Sequence, residues 1–182
     1  MSFPEGFAGH GAKYHASKIL AHQATLTWMS SHSPSFSLVT LHPSFVLGHS
    51  LVQTSAEDIG GINALFWGAL QAPAPQFPAL MVDVRDVADA QIKAAKVELE
   101  GGEWREFLIS QHPMEWEDVV AFLRKQYPQV EVKWEPPYPK ASDVDVSRAE
   151  QELGMRWRSM EEIFGSLVEQ QLRFRNGESG RL

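Results

Sequence analysis

The chain reads as an α/β fold, and three observations carry that reading. Segments of helical character alternate with short apolar, β-branched runs; prolines and glycines cluster at the junctions; and 182 residues with 43% hydrophobic content suffice for a core.

The first element is a helix from Ala12 to about Ser31, where Tyr14, Ile19, Leu20, Ala24, Leu26, Trp28 and Met29 lie on more than one face. It is therefore expected to be buried on several sides. Ser33-Pro34 stops it, and Phe36 to Leu41 follows as a buried strand. His42-Pro43-Ser44-Phe45-Val46-Leu47-Gly48 leaves that strand as an irregular loop, because proline withdraws a ladder donor and biases its predecessor to extended geometry. Residues 57–70 read as a helix broken by Gly60-Gly61, and Pro73, Pro75 and Pro78 mark the turn beyond it.

Ala79 to Val84 is a short extended segment, and Asp86 is the expected N-cap of a helix through Val97 that ends near Gly101-Gly102. Glu106 to Ser110 reads as a strand. His112 to Glu115 opens a helix with Trp116, Val119, Val120, Phe122 and Leu123 on its apolar side, ending before Pro128. Alternation makes Val130 to Trp134 another strand, and Pro136, Pro137 and Pro139 an extended connector. Ser147 caps a short helix ending at Gly154, Ser159 and Glu162 form a capping box for a helix to Phe174, and Asn176 to Leu182 frays.

Composition removes several function classes. A formal charge of -7 argues against nucleic acid or an anionic membrane as partner, since both need clustered lysine and arginine. Small molecules, as substrate, or other proteins are the expected partners instead. With no cysteine there is no disulfide framework and no thiolate chemistry. The N-terminus lacks the pattern of a signal or transit peptide and no window approaches the roughly 20 apolar residues of a membrane span, so a cytoplasmic protein is expected.

Tyr14 and Lys18 are four residues apart, which stacks their side chains on one helical face. An ammonium near a phenol favours phenolate, so the hydroxyl can give a proton to a developing alkoxide or take one from an alcohol. The same spacing arises in helices that set an aromatic against the core beside a solvated lysine. For Arg85 and Asp86 an architectural ion pair with a helix cap outweighs catalysis. Histidines 15, 22, 42 and 49 show no ligand spacing with a carboxylate pattern, so no metal site is expected.

Tyr14-His15-Ala16-Ser17-Lys18, the run His42 to Gly48, and Asp83-Val84-Arg85-Asp86-Val87-Ala88-Asp89-Ala90 occur in this order, and together they resemble the extended short-chain dehydrogenase/reductase superfamily, in its dihydroflavonol reductase-like branch. The resemblance covers about residues 10–172. It implies the C-terminal portion of a Rossmann-type enzyme with its small α/β substrate domain: residues 1–56 carry the catalytic helix and proline loop, 57–175 the substrate-binding region, and 176–182 a flexible tail. It further implies NADP as cofactor, Tyr14 as catalytic acid/base, and Lys18 as the residue that orients the nicotinamide ribose. Pro43, Ser44, Phe45 and Val46 would pass beside the nicotinamide, with Asp83 to Ala88 at the edge of the substrate pocket.

The sequence departs from the family in having no strand followed by a G-x-x-G-x-x-G turn, and no upstream serine or threonine to complete the catalytic set. His49 stands where the family often has proline. The expectation is a chain without the dinucleotide-binding half and with weak or absent NADP binding alone. Its exposed apolar faces predict a homodimer or a partner chain. Two alternatives stay open: a cofactor-free isomerase, cyclase or lyase using Tyr14, Lys18 or His42, with Phe45, Phe66, Trp67, Phe77 and Met81 as pocket or core, and a non-catalytic partner-binding protein.

Overall fold

The computed structural model describes residues 6–75, 77–140 and 143–177, with side chains from Gly11 onward. Its elements, in order, are α1 (Gly6–His32), β1 (Leu38–Pro43), β2 (Phe45–Leu47), α2 (Gly61–Ala69), β3 (Met81–Asp83), α3 (Val84–Ala94), β4 (Trp104–Ile109), α4 (Trp116–Gln126), α5 (Ser147–Glu152) and α6 (Met160–Arg175). The α/β class is borne out. β1 neighbours β4 in one two-stranded sheet, and β2 neighbours β3 in another. No helix among the described residues is long and apolar enough to cross a membrane.

The chain divides into two compact units, one taking residues through Thr40 with Glu98–Arg105, the other Leu41–Val97 with Glu106 onward. In the first, α1 absorbs its many hydroxyls by turning them onto the preceding turn: Thr25, Thr27 and Ser30 donate to the carbonyls of Ala21, Gln23 and Leu26 at 2.8–2.9 Å. Ser33 ends the helix in the left-handed region at φ 42°, its N–H reaching the Met29 carbonyl at 3.2 Å. Opposite this end, a Cβ on Gly101 would lie 2.8 Å from the Ser35 carbonyl oxygen, so only glycine permits the approach.

The expectation that α1 is buried on several sides is corrected. Met29 is its one buried hydrophobic residue among those described, whereas Tyr14, Ile19, Leu20 and Trp28 are exposed. The helix carries more apolar surface than its own unit covers.

The second unit holds the large core. β2 and β3 pair in parallel, with Phe45 opposite Met81, Val46 opposite Val82 and Leu47 opposite Asp83. Residues 42–48 are thus not simply a loop. Pro43 has no N–H to give, but Ser44 N–H donates to the Ile109 carbonyl at 3.0 Å and Phe45 N–H to the Leu80 carbonyl at 3.3 Å. Consecutive residues are satisfied by different neighbours, and a second short strand results.

Beneath the strands, Phe66 of α2, Trp116 of α4, Trp134 and Phe164 of α6 form an aromatic cluster, with the two tryptophan rings 4.9 Å apart and nearly perpendicular. Each fully buried tryptophan removes enough surface from water for roughly 4–6 kcal/mol of transfer free energy, before conformational entropy is subtracted. Their ring N–H groups are not stranded. Trp116 donates to the Phe77 carbonyl at 3.1 Å and Trp134 to the Ala69 carbonyl at 2.5 Å.

Several boundaries differ from the sequence reading. Asp83, not Asp86, caps α3, accepting from Arg85 N–H at 2.8 Å. Val130 to Trp134 is not a strand: Val130, Val132 and Trp134 are buried in alternation, but Lys133 N–H binds the Leu70 carbonyl, so a side-chain pattern of period two exists without a ladder. Ser147 is the first residue of α5 rather than its cap, its N–H held by the Asp145 carboxylate at 3.0 Å. At α6 the expected capping box of Ser159 and Glu162 is present. The expected frayed tail lies outside the described residues from position 178 on.

Candidate functional site

The sequence-derived residues fall in both units. In the first, one turn of α1 sets the Lys18 ammonium 5.4 Å from the centre of the Tyr14 ring. Ser17 is spent locally, donating to the Tyr14 carbonyl at 2.7 Å. Tyr14 is 60% exposed, so its hydroxyl is open to approach by a reacting molecule.

In the second unit, Pro43 ends β1 and Phe45 and Val46 lie in β2. Between the strands, Ser44 has its N–H committed to the sheet, while its buried hydroxyl has no hydrogen-bond partner among the described residues. A buried hydroxyl without a protein partner costs stability unless water or a ligand meets it.

β2 runs on into a cavity of about 780 Å³, whose wall is formed by the segment from Val46 to Val52, the start of α2, the start of α3 and one face of α6. The wall is braced by side chains that reach backbone. Asn63 donates to the Gly48 carbonyl at 2.7 Å and accepts from the Gly48 N–H at 3.2 Å, holding a residue whose φ of 129° suits only glycine. A Cβ there would meet Val84 at 3.2 Å and the Asp83 carboxylate at 3.4 Å. Gln170 of α6 makes the matching pair of bonds with Ser50, at 2.8 and 2.7 Å.

The charged groups of this region are ordered by pairing. The Arg85 guanidinium grips the buried Asp83 carboxylate through two bonds of 2.8 Å, and that hydrogen bonding raises its own proton affinity. Asp86, also fully buried, is held by the side chain and the backbone N–H of Arg158, which also reaches Asp89 at 3.1 Å. Burial pushes the Asp86 carboxyl above its usual range, against the pull of Arg158. Arg85 and Asp86 are therefore architectural but do not pair as the sequence suggested: each takes a different partner. Burial first, and then the 2.9 Å bond that the Tyr127 hydroxyl donates to Glu169, drive that phenol up to about 12. Arg173 approaches His49 Nδ1 at 3.4 Å.

Of the aromatic set that was either pocket or core, Phe66 and Met81 are fully buried core, and Phe45, Trp67 and Phe77 pack against it. None lines the cavity described. His42 is half-buried, with Nε2 3.8 Å from a Glu106 carboxylate oxygen. Asn63, Glu169, Gln170 and Arg173 are site residues that sequence reasoning missed. The polar face of α6, with Glu169 and Arg173 one turn apart, was the available signal, but nothing local says what it faces.

No family model matches the chain. It is 35% identical over 170 residues to the ketoreductase sphI of Aspergillus fumigatus, covering 90% of this chain and 50% of that protein. Its fold superposes on vestitone reductase from alfalfa with a TM-score of 0.69 at 20% identity, over 91% of this chain and 53% of the other. On Candida albicans Gre2 solved with NADPH the TM-score is 0.65 at 24% identity, over 88% and 51%. The chain spans about half the length of the relatives it matches.

Proposed function

The chain belongs to the extended short-chain dehydrogenase/reductase superfamily, in its dihydroflavonol reductase-like branch, and we propose that it supplies the proton donor and substrate pocket for NADP-dependent reduction of a ketone or aldehyde. The observation that carries this is the Lys18 ammonium set against the exposed Tyr14 ring. Tyr14 donates its hydroxyl proton to the carbonyl oxygen, and the positive charge of Lys18 stabilises the phenolate left behind until solvent returns a proton. A reduced nicotinamide, when bound, supplies hydride to the carbonyl carbon, so that C=O becomes CH–OH.

By the family resemblance, Tyr14 and Lys18 in the first unit and Pro43, Ser44, Phe45 and Val46 in the second are each assigned to the nicotinamide end, and the Ser44 hydroxyl without a protein partner is compatible with that assignment in its own unit. For the pyrophosphate the sequence offers no glycine-rich turn after a strand, so this chain alone is expected to hold NADP weakly. The largely apolar cavity takes the substrate body.

A second part of the proposal concerns α1. Its exposed Tyr14, Ile19, Leu20 and Trp28 favour cover by a second copy or by a partner chain.

The test is NADPH-dependent turnover of a panel of aryl ketones by the chain and by Tyr14→Phe. Loss of roughly 10²–10⁴-fold in rate on removing the hydroxyl is expected. Equal rates in the two proteins would remove Tyr14 from the chemistry.

A further inference from the structure

We propose that the substrate of this cavity carries a carboxylate and that Arg173, positioned by His49, is the residue that selects it. The inference rests on the reductase reading for the word substrate, but its physical basis is the wall itself. Val46, Leu47, Leu51, Val52, Ile62 and Val84 give an apolar surface suited to a hydrocarbon or aromatic body. Set into it are two cations, and they differ in one respect. Arg85 is neutralised by the bidentate Asp83 carboxylate, whereas Arg173 has no carboxylate within ion-pair distance among the described residues. The wall's own acid, Glu169, lies one turn of α6 from Arg173 but outside ion-pair distance, its carboxylate accepting from the Tyr127 hydroxyl at 2.9 Å.

His49 defines how Arg173 is presented. A guanidinium only donates, so the 3.4 Å approach of Arg173 Nη2 makes His49 Nδ1 the acceptor and leaves Nε2 to carry the proton. Burial first, then the charges of Arg173 and Arg85, hold the imidazole below its usual range, which keeps it neutral and able to accept. The remaining guanidinium N–H groups are left for a ligand, and a planar carboxylate matches them in a two-bond fork. An apolar ketone with a carboxylate at one end matches both the apolar wall and the N–H groups of Arg173.

Calorimetric titration of the full chain with 3-benzoylpropanoate, its methyl ester and phenyl phosphate tests this, in the wild type, Arg173→Gln and Arg173→Lys, each checked for folding by circular dichroism. The acid is expected to bind about tenfold more tightly than the ester to the wild type, as one charge-assisted pair at a partly solvated site provides. That ratio should fall to one in Arg173→Gln and recover in part in Arg173→Lys. Equal affinity of acid and ester, no saturable binding of either, or a preference that survives Arg173→Gln overturns the proposal; tighter binding of phenyl phosphate reassigns the site to phosphate and overturns it too. Binding needs no turnover. An intact acid preference without NADPH-dependent turnover of any ketone would sink the reductase reading alone, and turnover with equal KM for acid and ester would sink this one alone.

Discussion

Replacing Asn63 with leucine removes the brace that fixes the exit of β2 into the cavity. Gly48 is buried, and its N–H and C=O both bind the Asn63 side chain, at 3.2 and 2.7 Å. Leucine is close in volume but offers neither partner, so two backbone groups lose their bonds. Each buried unpaired group costs about 1–3 kcal/mol, and water entering from the cavity side recovers part of it, which leaves a loss of about 3 kcal/mol. Asn63→Asp keeps the acceptor for Gly48 N–H but lacks the donor for its carbonyl, and should lose about half as much on the same count. Urea unfolding followed by tryptophan fluorescence measures both, because aromatic packing of the core reports on the second unit. A change below about 0.5 kcal/mol for Asn63→Leu would refute the brace, since that is the range of an ordinary surface substitution.

Arg158→Ala strands the fully buried Asp86 carboxylate, and should cost about 3 kcal/mol in the same unfolding measurement, against a smaller loss in the double variant with Asp86→Asn. In a spectrophotometric titration, one of the three tyrosines should ionise only near pH 12, and Glu169→Gln should lower that value by removing the carboxylate that binds Tyr127. His49 has a native proton affinity held below its ordinary 6.5, so its contribution to stability is complete above that pH and is lost as pH falls through 6.5 towards the native value. His49→Gln should flatten the fall of melting temperature in that window; an unchanged slope would show that His49 gains no proton on unfolding.

What the sequence discloses is what local chemistry decides. The Ser159–Glu162 box fixes the start of α6 because both partners lie within one turn, and Ser33-Pro34 ends α1 through backbone geometry alone. Asp83 and Asp86 are equivalent as caps to a local reader. The choice between them is made by Arg158, 72 residues from Asp86, which takes the second aspartate for a buried pair. Val130 to Trp134 misleads because period-two burial arises wherever an extended segment lies on a core, with or without a neighbouring strand. In the candidate site, Tyr14 and Lys18 are legible because one helical turn joins them. The pairs Ser50–Gln170 and His49–Arg173 span 120 and 124 residues, and no local pattern announces them.

The reductase reading is met most directly by titrating the purified chain with NADPH by calorimetry, with its mass in solution measured by light scattering on the same sample. Saturable binding that weakens when Lys18 is replaced by alanine is the expected result, in an assembly larger than one chain if α1 is covered by a second copy. A folded protein whose NADPH binding, however weak, is unchanged when Lys18 is replaced by alanine would contradict the account.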